Sequence, residues 1–331
     1  MFITRTNEYR TMKKFFLFLI VFFISFMGVS QDLEFTQFYA NPLYLNPAFA
    51  GSHGCPRIAM NYRDQWPSLS GSYVSYSVAY DQYFDGISGG LGIILVNDVQ
   101  AKTINTSSGS LVYSYHTPLS RRWTLLFGAK AGWVQKSLDW SKLTFGDMID
   151  PRKGFIYKTG DYPKQGGSNG FFDVSSGFLL SSKTFNIGLA ANHLTRPNES
   201  MIGNQDDPLP MRFTGHASAN ITPGKSSPYA NLMTIMPSVI YTYQNGFSQL
   251  NVGTYVKYSN LTFGVWYRSL DAFILTVGVN TGTFKVGYSY DITSSQLNNG
   301  VSGGSHEVSL GMNFNCKPKA KKYRTISCPS F

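Results

Sequence analysis

SYVSYSVAY (residues 72–80) alternates two kinds of side chain without a break. Val74, Tyr76, Val78 and Tyr80 fall on one face, and Tyr73, Ser75, Ser77 and Ala79 on the other, because successive side chains of an extended chain point to opposite sides. NLTFGVWYR (260–268) repeats the pattern, with Leu261, Phe263, Val265 and Tyr267 against Thr262, Gly264, Trp266 and Arg268. TFKVGYSYD (283–291) sets Phe284, Val286, Tyr288 and Tyr290 against Lys285, Gly287, Ser289 and Asp291. HEVSLGMNF (306–314) sets Val308, Leu310, Met312 and Phe314 against Glu307, Ser309, Gly311 and Asn313. Each reads as a strand with one apolar face and one polar or small face.

A soluble sandwich shows the same alternation, so length and aromatic placement decide between the two. These strands run to about 9–12 residues, where soluble strands run to about 5–6. Aromatic residues gather at strand ends (Tyr80, Tyr83, Phe84, Tyr115, Trp123, Trp133, Tyr241, Tyr243, Tyr258, Tyr267), where a membrane barrel carries its interfacial girdles. Composition agrees. Charged residues are 14% of the chain, against about 25% in soluble domains. Gly (32), Phe (25) and Tyr (21) are abundant. Mean hydropathy is −0.13, which argues against a helical membrane protein and suits alternating strands.

Fourteen such segments lie near 57–66, 71–80, 89–97, 106–117, 122–136, 171–182, 184–193, 211–222, 229–243, 247–258, 261–268, 273–281, 283–291 and 304–315. Bacterial barrels have even strand numbers, short periplasmic turns and long outer loops. With the first strand starting in the periplasm, the outer connections include 137–170, 194–210 and 292–303, and the inner ones include the tight turns at 182–183, 259–260 and 281–283. The expected fold is all-β, a transmembrane antiparallel barrel of about 14 strands over 57–315.

Phe15–Val29 is the one continuous apolar run, and Lys13 and Lys14 precede it. At about 15 residues it is short for a membrane helix, and with small Gly28 and Ser30 at its end the stretch 1–30 reads as an export signal. Met12 is a second candidate start, which would make 1–11 a non-native extension. The segment 31–56 does not alternate. Its steps Asn41-Pro42 and Asn46-Pro47-Ala48 break helix and favour turns. Its aromatic and leucyl side chains need burial, and the barrel interior offers it, as a plug. The other reading is a periplasmic strap beneath the rim.

Of the net charge of +10, three net positive charges fall in 1–30 and five in 317–331. A basic tail over 316–331 suits an anionic surface or a periplasmic partner, or is a solvated end. The rest of the chain has no basic stripe, so nucleic acid is not an expected partner. The three cysteines, Cys55, Cys316 and Cys328, meet an oxidising compartment. Cys55 precedes the first strand and Cys316 ends the last, neighbours in a closed even barrel, so a Cys55–Cys316 disulfide is the expected staple, with Cys328 able to compete. No CxxC occurs and the histidines are scattered, which gives no zinc pattern.

Charges expected on the inward face are Arg63, Lys130, Arg212, Lys257, Arg268 and Lys285, with Asp173, Asp291 and Glu307. A lone buried charge is costly, so Arg63 and Arg268 are expected to meet plug carbonyls or acids such as Asp32 and Glu34. Asn192-His193 and Ser305-His306-Glu307 have the residue types of a hydrolase site, but such residues also line lumens, and the chain is read as non-enzymatic and without a cofactor. Asp147, Asp150, Asp206 and Asp207 fall in outer loops, where two carboxylates make no calcium site.

QDLEFTQFYANPLYLNPAFAG (31–51), NYRDQW (61–66), WYRSLDAFIL (266–275), GYSYDITSSQL (287–297), GSHEVSLGMNF (304–314) and RTISCPSF (324–331) resemble the PorP/SprF family of type IX secretion system membrane proteins. The resemblance runs from Gln31 to the end. It implies an outer-membrane barrel of Bacteroidota that works with the secretion and gliding machinery. It implies as partners the lipid bilayer, type IX components, a large secreted surface adhesin, and a periplasmic peptidoglycan-binding lipoprotein. Asn46-Pro47-Ala48 also resembles the plug region of fourteen-stranded fatty-acid channels, which gives the alternative of a transporter for a hydrophobic small molecule. Such a transporter needs a kinked strand, and Pro237 is the candidate.

Overall fold

The computed structural model describes residues 32–150, 152–157, 159–160, 167–201, 206–223, 232–294 and 302–314. The export signal at 1–30, the basic tail at 316–331, and Cys316 and Cys328 lie outside these residues. Contacts divide the chain into Met1–Asp32 and Leu33–Phe331, and the second unit carries the fold.

The strands are β1 (Arg57–Gln65), β2 (Tyr73–Phe84), β3 (Gly89–Gln100), β4 (Ile104–Pro118), β5 (Thr124–Leu138), β6 (Ile149–Asp150), β7 (Gly154–Phe155), β8 (Ser168–Ser181), β9 (Phe185–Asn192), β10 (Arg212–Ala219), β11 (Met233–Gln244), β12 (Phe247–Tyr258), β13 (Leu261–Arg268), β14 (Ala272–Asn280), β15 (Phe284–Thr293) and β16 (Ser305–Asn313). β6 and β7 form a small ribbon in a connection. The other fourteen close an antiparallel barrel in chain order, with β16 paired back onto β1 from Arg57↔Asn313 to Gln65↔Ser305. This is the barrel read from the sequence. Between Ala219 at the end of β10 and Met233 at the start of β11, pairing continues to the bridge Ile221↔Ile235, and the strand start expected at 229 lies outside the described residues.

Two physical faces follow from the alternation. Tyr62, Tyr76, Val78, Leu95, Leu111, Val265, Phe273 and Val286 are exposed on the outside. Residues of the opposite phase on these strands, such as Asn61, Arg63, Ser75, Ser77, Ser289 and Glu307, are buried on the inside. An apolar exterior with a polar interior is what lipid on one side and protein or water on the other require. No helix of the described residues is long and apolar enough to cross a membrane.

The two ends of the barrel differ. One carries the connections 139–167, 193–211 and 294–304, together with 66–72, 101–103, 245–246 and 269–271. The other carries 85–88, 119–123, 182–184, 220–232, 259–260 and 281–283, as well as the start of β1 and the end of β16.

Candidate functional site

The segment ahead of β1 folds as three short turns, Phe38–Ala40, Pro42–Leu45 and Pro47–Phe49. Pro42 and Pro47 each sit at the start of a turn, where the missing N–H costs nothing. Asn46 caps the third turn, its Oδ1 accepting from Ala48 N at 2.9 Å. The side chains of Phe38, Tyr39, Leu45, Ala48 and Phe49 pack with Leu126, Leu179, Met236, Ile240, Tyr255, Trp266 and Ile274 from six strands. Leu43 and Ala50 pack with Ala59, Ala79, Ile94 and Val112 on another part of the wall.

At the end of the barrel with the longest loops, four buried charges tie this segment to the wall. Arg63 Nη2 lies 2.9 Å and Arg268 Nη1 3.2 Å from Asp291 Oδ2, and Arg63 Nη1 lies 3.6 Å from Glu307 Oε2. The hydroxyl of Thr36 sits between them. It accepts from Arg63 Nη1 and Arg268 Nη2 and donates to Asp291 at 2.9 Å. Glu307 accepts main-chain N–H groups of Thr36 (2.5 Å) and Gln37 (3.2 Å) and the amide of Asn61 (3.2 Å). The Gln37 side chain donates to Glu307 O and accepts from Ser309 Oγ. Two guanidinium groups and two carboxylates are thus buried together, with the partly exposed Asp271 3.3 Å from Arg268 Nη1, and removing one member leaves its buried partners under-compensated. Glu34 joins at the margin, 3.8 Å from Arg268 Nε.

Further along, Asn41 Nδ2 donates to Ser77 Oγ at 2.6 Å. Asn46 Nδ2 donates to Phe178 O (3.1 Å) and Leu189 O (3.2 Å) and meets His216 Nε2 at 3.1 Å. Ala48 O accepts from Ser114 Oγ and Ala50 O from His116 Nε2, both at 2.9 Å. Gly51 N donates to Asp81, which also accepts two hydrogen bonds from Arg57, at 2.9 and 3.0 Å. The backbone comes close enough only because the wall lacks side chains there. A Cβ on Gly128 would stand 2.2 Å from Ala48 N, one on Gly90 2.2 Å from Ala50 O, and one on Gly177 2.0 Å from Asn46 Oδ1.

Arg63, Arg268 and Glu307 therefore lie together, and Asn41, Pro42, Asn46, Pro47 and Ala48 follow one another down the same interior. Arg268 reaches Glu34. Arg63 reaches the Thr36 hydroxyl and the strand acids rather than a carbonyl. The arginines that do reach segment carbonyls are Arg212, to Leu33 O at 3.2 Å, and Arg57, to Phe49 O at 3.5 Å. Asp173 pairs with His193, 3.1 Å apart. His306 and Glu307 point to opposite sides of β16. His306 bonds Tyr288 OH on the outside while Glu307 faces in, so Ser305-His306-Glu307 cannot converge. Asp147 and Asp150 accept bonds from within their own loop. Among the described residues no group of three or more His, Cys, Asp or Glu is placed to hold a metal. Cys55 is disulfide-bonded, and both remaining cysteines lie outside the described residues. The sequence places His116 and His216 on the polar face of strands, but Thr36, Gln37, Asp81, Gly90, Gly128 and Gly177 were missed. Their signal was the small or polar residue at inward phase.

A closed barrel of antiparallel strands with an apolar exterior defines the class: this is a multi-pass outer-membrane β-barrel. The family described as type IX secretion system membrane protein PorP/SprF matches residues 28–312, and the chain belongs to that family. No curated protein sequence matches it. Among solved structures, the P. putida toluene transporter TodX is similar over 82% of this chain and 93% of that one, at 10% identity and a TM-score of 0.47. The CymD monoaromatic hydrocarbon channel is similar over 87% and 96%, at 11% and 0.45. The Acinetobacter baumannii outer membrane protein Omp33 is similar over 80% and 100%, at 8% and 0.42. Likenesses this remote say nothing of ligand or path.

Proposed function

We propose that this barrel is a non-enzymatic assembly component of the type IX secretion and gliding machinery, exported by its N-terminal signal in a member of the Bacteroidota. It supports secretion or surface anchoring of a large adhesin. Residues 31–56 act as its plug, and the basic tail after 315 meets a periplasmic partner such as a peptidoglycan-binding lipoprotein. The observation that carries the reading is the family match across both the plug segment and the barrel. The tied interior supports it, since an assembly component needs docking surfaces rather than a path. Affinity purification from native membranes with mass spectrometry tests it. Type IX components and a very large secreted protein are expected to co-purify, and deletion of the gene is expected to strip that protein from the cell surface. Recovery of neither refutes the reading.

A second reading, transport of a hydrophobic small molecule, is favoured by one observation. β10 and β11 pair in register to Ser218↔Ser238 and again at the bridge Ile221↔Ile235, and Pro237 sits in the gap opposite Ala219. Proline has no N–H to give the neighbouring strand, so the wall is weakest there. Equal uptake of a long-chain fatty acid by a deletion strain and its parent removes this reading.

A further inference from the structure

We propose that the N-terminal segment from Leu33 runs down the barrel from its cell-surface end, so that Leu33 and Phe314 lie at opposite faces of the membrane. An even-stranded barrel by itself returns its first and last strands to one face. Here β1 begins and β16 finishes at the end that bears the turns 182–184 and 259–260, and Phe314 N donates to Pro56 O there. The segment's contacts climb away from that end. Gly51 bonds Asp81 near the close of β2, and Ala50 bonds His116 near the close of β4. Asn46 meets the middle of β9 and β10. Thr36 meets Arg63, Arg268, Asp291 and Glu307, all near the opposite end. Leu33 O accepts from Arg212, the first residue of β10 after the 193–211 connection, and from Tyr44 OH.

The distance is large enough to matter. Phe49 touches Arg57 and Thr36 touches Arg63 on the same strand. Six positions of β1 separate those two arginines, about 20 Å along the strand, or about 15 Å along the membrane normal at a strand tilt of about 40°, against an apolar band about 25 Å tall. The segment therefore covers more than half of that band inside the wall. Leu33 and Glu34 stand at the end that carries 139–167 and 193–211, and long connections belong on the outer face. This inference does not depend on the type IX partners, and its test is separate from theirs.

Three single-cysteine additions to the full chain read it on intact cells with a membrane-impermeant maleimide: Leu33→Cys, Lys153→Cys in the long loop and Lys183→Cys in the opposite turn. The parent chain's own cysteines set the background. Leu33→Cys and Lys153→Cys are expected to label several-fold above the parent on intact cells, and Lys183→Cys only after the outer membrane is permeabilised. Labelling of Leu33→Cys that follows Lys183→Cys overturns the entry point. Labelling of Lys183→Cys but not Lys153→Cys on intact cells overturns the assignment of the outer face. Should burial hide the thiol at 33 under both conditions, a short epitope inserted between Gln31 and Asp32 decides the matter. Antibody bound to intact cells supports the proposal, and antibody bound only after permeabilisation refutes it.

Discussion

Replacing Glu307 by alanine tests the physical account of the lumen most directly. The carboxylate is fully buried and serves the main-chain N–H groups of Thr36 and Gln37, the Asn61 amide and Arg63. Its loss leaves two backbone donors without a partner, at about 1–3 kcal/mol each. It also leaves Arg63 with Asp291 as its remaining charge partner. These losses share one group and do not add, so the whole is set at about 3–5 kcal/mol, the usual cost of breaking a buried pair. At about 1.4 kcal/mol per decade, the local opening constant at Thr36 and Gln37 rises by roughly two to four decades. The barrel does not share the loss, because β16 bonds β1 and β15 through its backbone. Hydrogen exchange in detergent micelles reads both at once. Faster exchange is expected at residues 36 and 37, with little change in the strand amides or near Asn46, which has its own bonds. Glu307→Gln keeps one acceptor and the shape, and is expected to fall between parent and Glu307→Ala. Unchanged exchange at 36 and 37 in Glu307→Ala would refute the anchoring role.

Three further outcomes follow from the same geometry. Gly177→Ala pushes a methyl to 2.0 Å from Asn46 Oδ1, and overpacking of this kind costs about 1–3 kcal/mol. Proteolysis is expected to reach residues 33–51 in this variant while heat-modifiable gel mobility still reports a closed barrel, whereas Gly146→Ala, with nothing within 4 Å, behaves as the parent. Val265→Arg places a charge midway along the outer face of β13, costing about 2–4 kcal/mol near the bilayer midplane, so the folded fraction in liposomes drops; an unchanged fraction contradicts a lipid-facing Val265. In the loop ribbon, the main-chain N–H groups of Arg152 and Lys153 hold the Asp150 carboxyl below its ordinary 3.8. Its pKa is depressed on folding, so its contribution is present above the ordinary value and is lost as pH falls through the lowered one. The Arg152 amide is therefore expected to stay protected at pH 5 and to lose protection in stronger acid, which hydrogen exchange across that range checks.

Strand count and pairing were legible because each barrel strand must satisfy lipid on one side, and that demand repeats every second residue. Leu261, Phe263, Val265 and Tyr267 cannot be mistaken for a lumen face. Interior partners were far less legible. On the inner face Ser, Thr, Asn and Gly all satisfy the phase, and only register reveals that Gly128 and Gly177 lie beside Pro47 and Asn46. The sequence marked Arg63 and Arg268 as charges in need of partners. It did not show that one threonine hydroxyl would sit between them, because Thr36 and Asp291 are 255 residues apart.

The interior wall is not that of a water-filled pore. Leu126, Leu179, Ile240, Ile274 and Trp266 face inward and are almost wholly buried against Phe38, Leu45 and Phe49. Each side chain of that size is worth about 1.5–3 kcal/mol on leaving water. An emptied barrel would return this surface to solvent and would also strand Glu307, Asp81 and His216 from their partners. The apolar wall, the inward glycines and the paired charges each fit the segment in place, so the segment fills the interior while the backbone-bonded barrel can outlast its local opening. Any path for a hydrophobic molecule would therefore run through the wall near Pro237 and beside the segment. A path down the axis would have to break nearly every contact that fixes the interior.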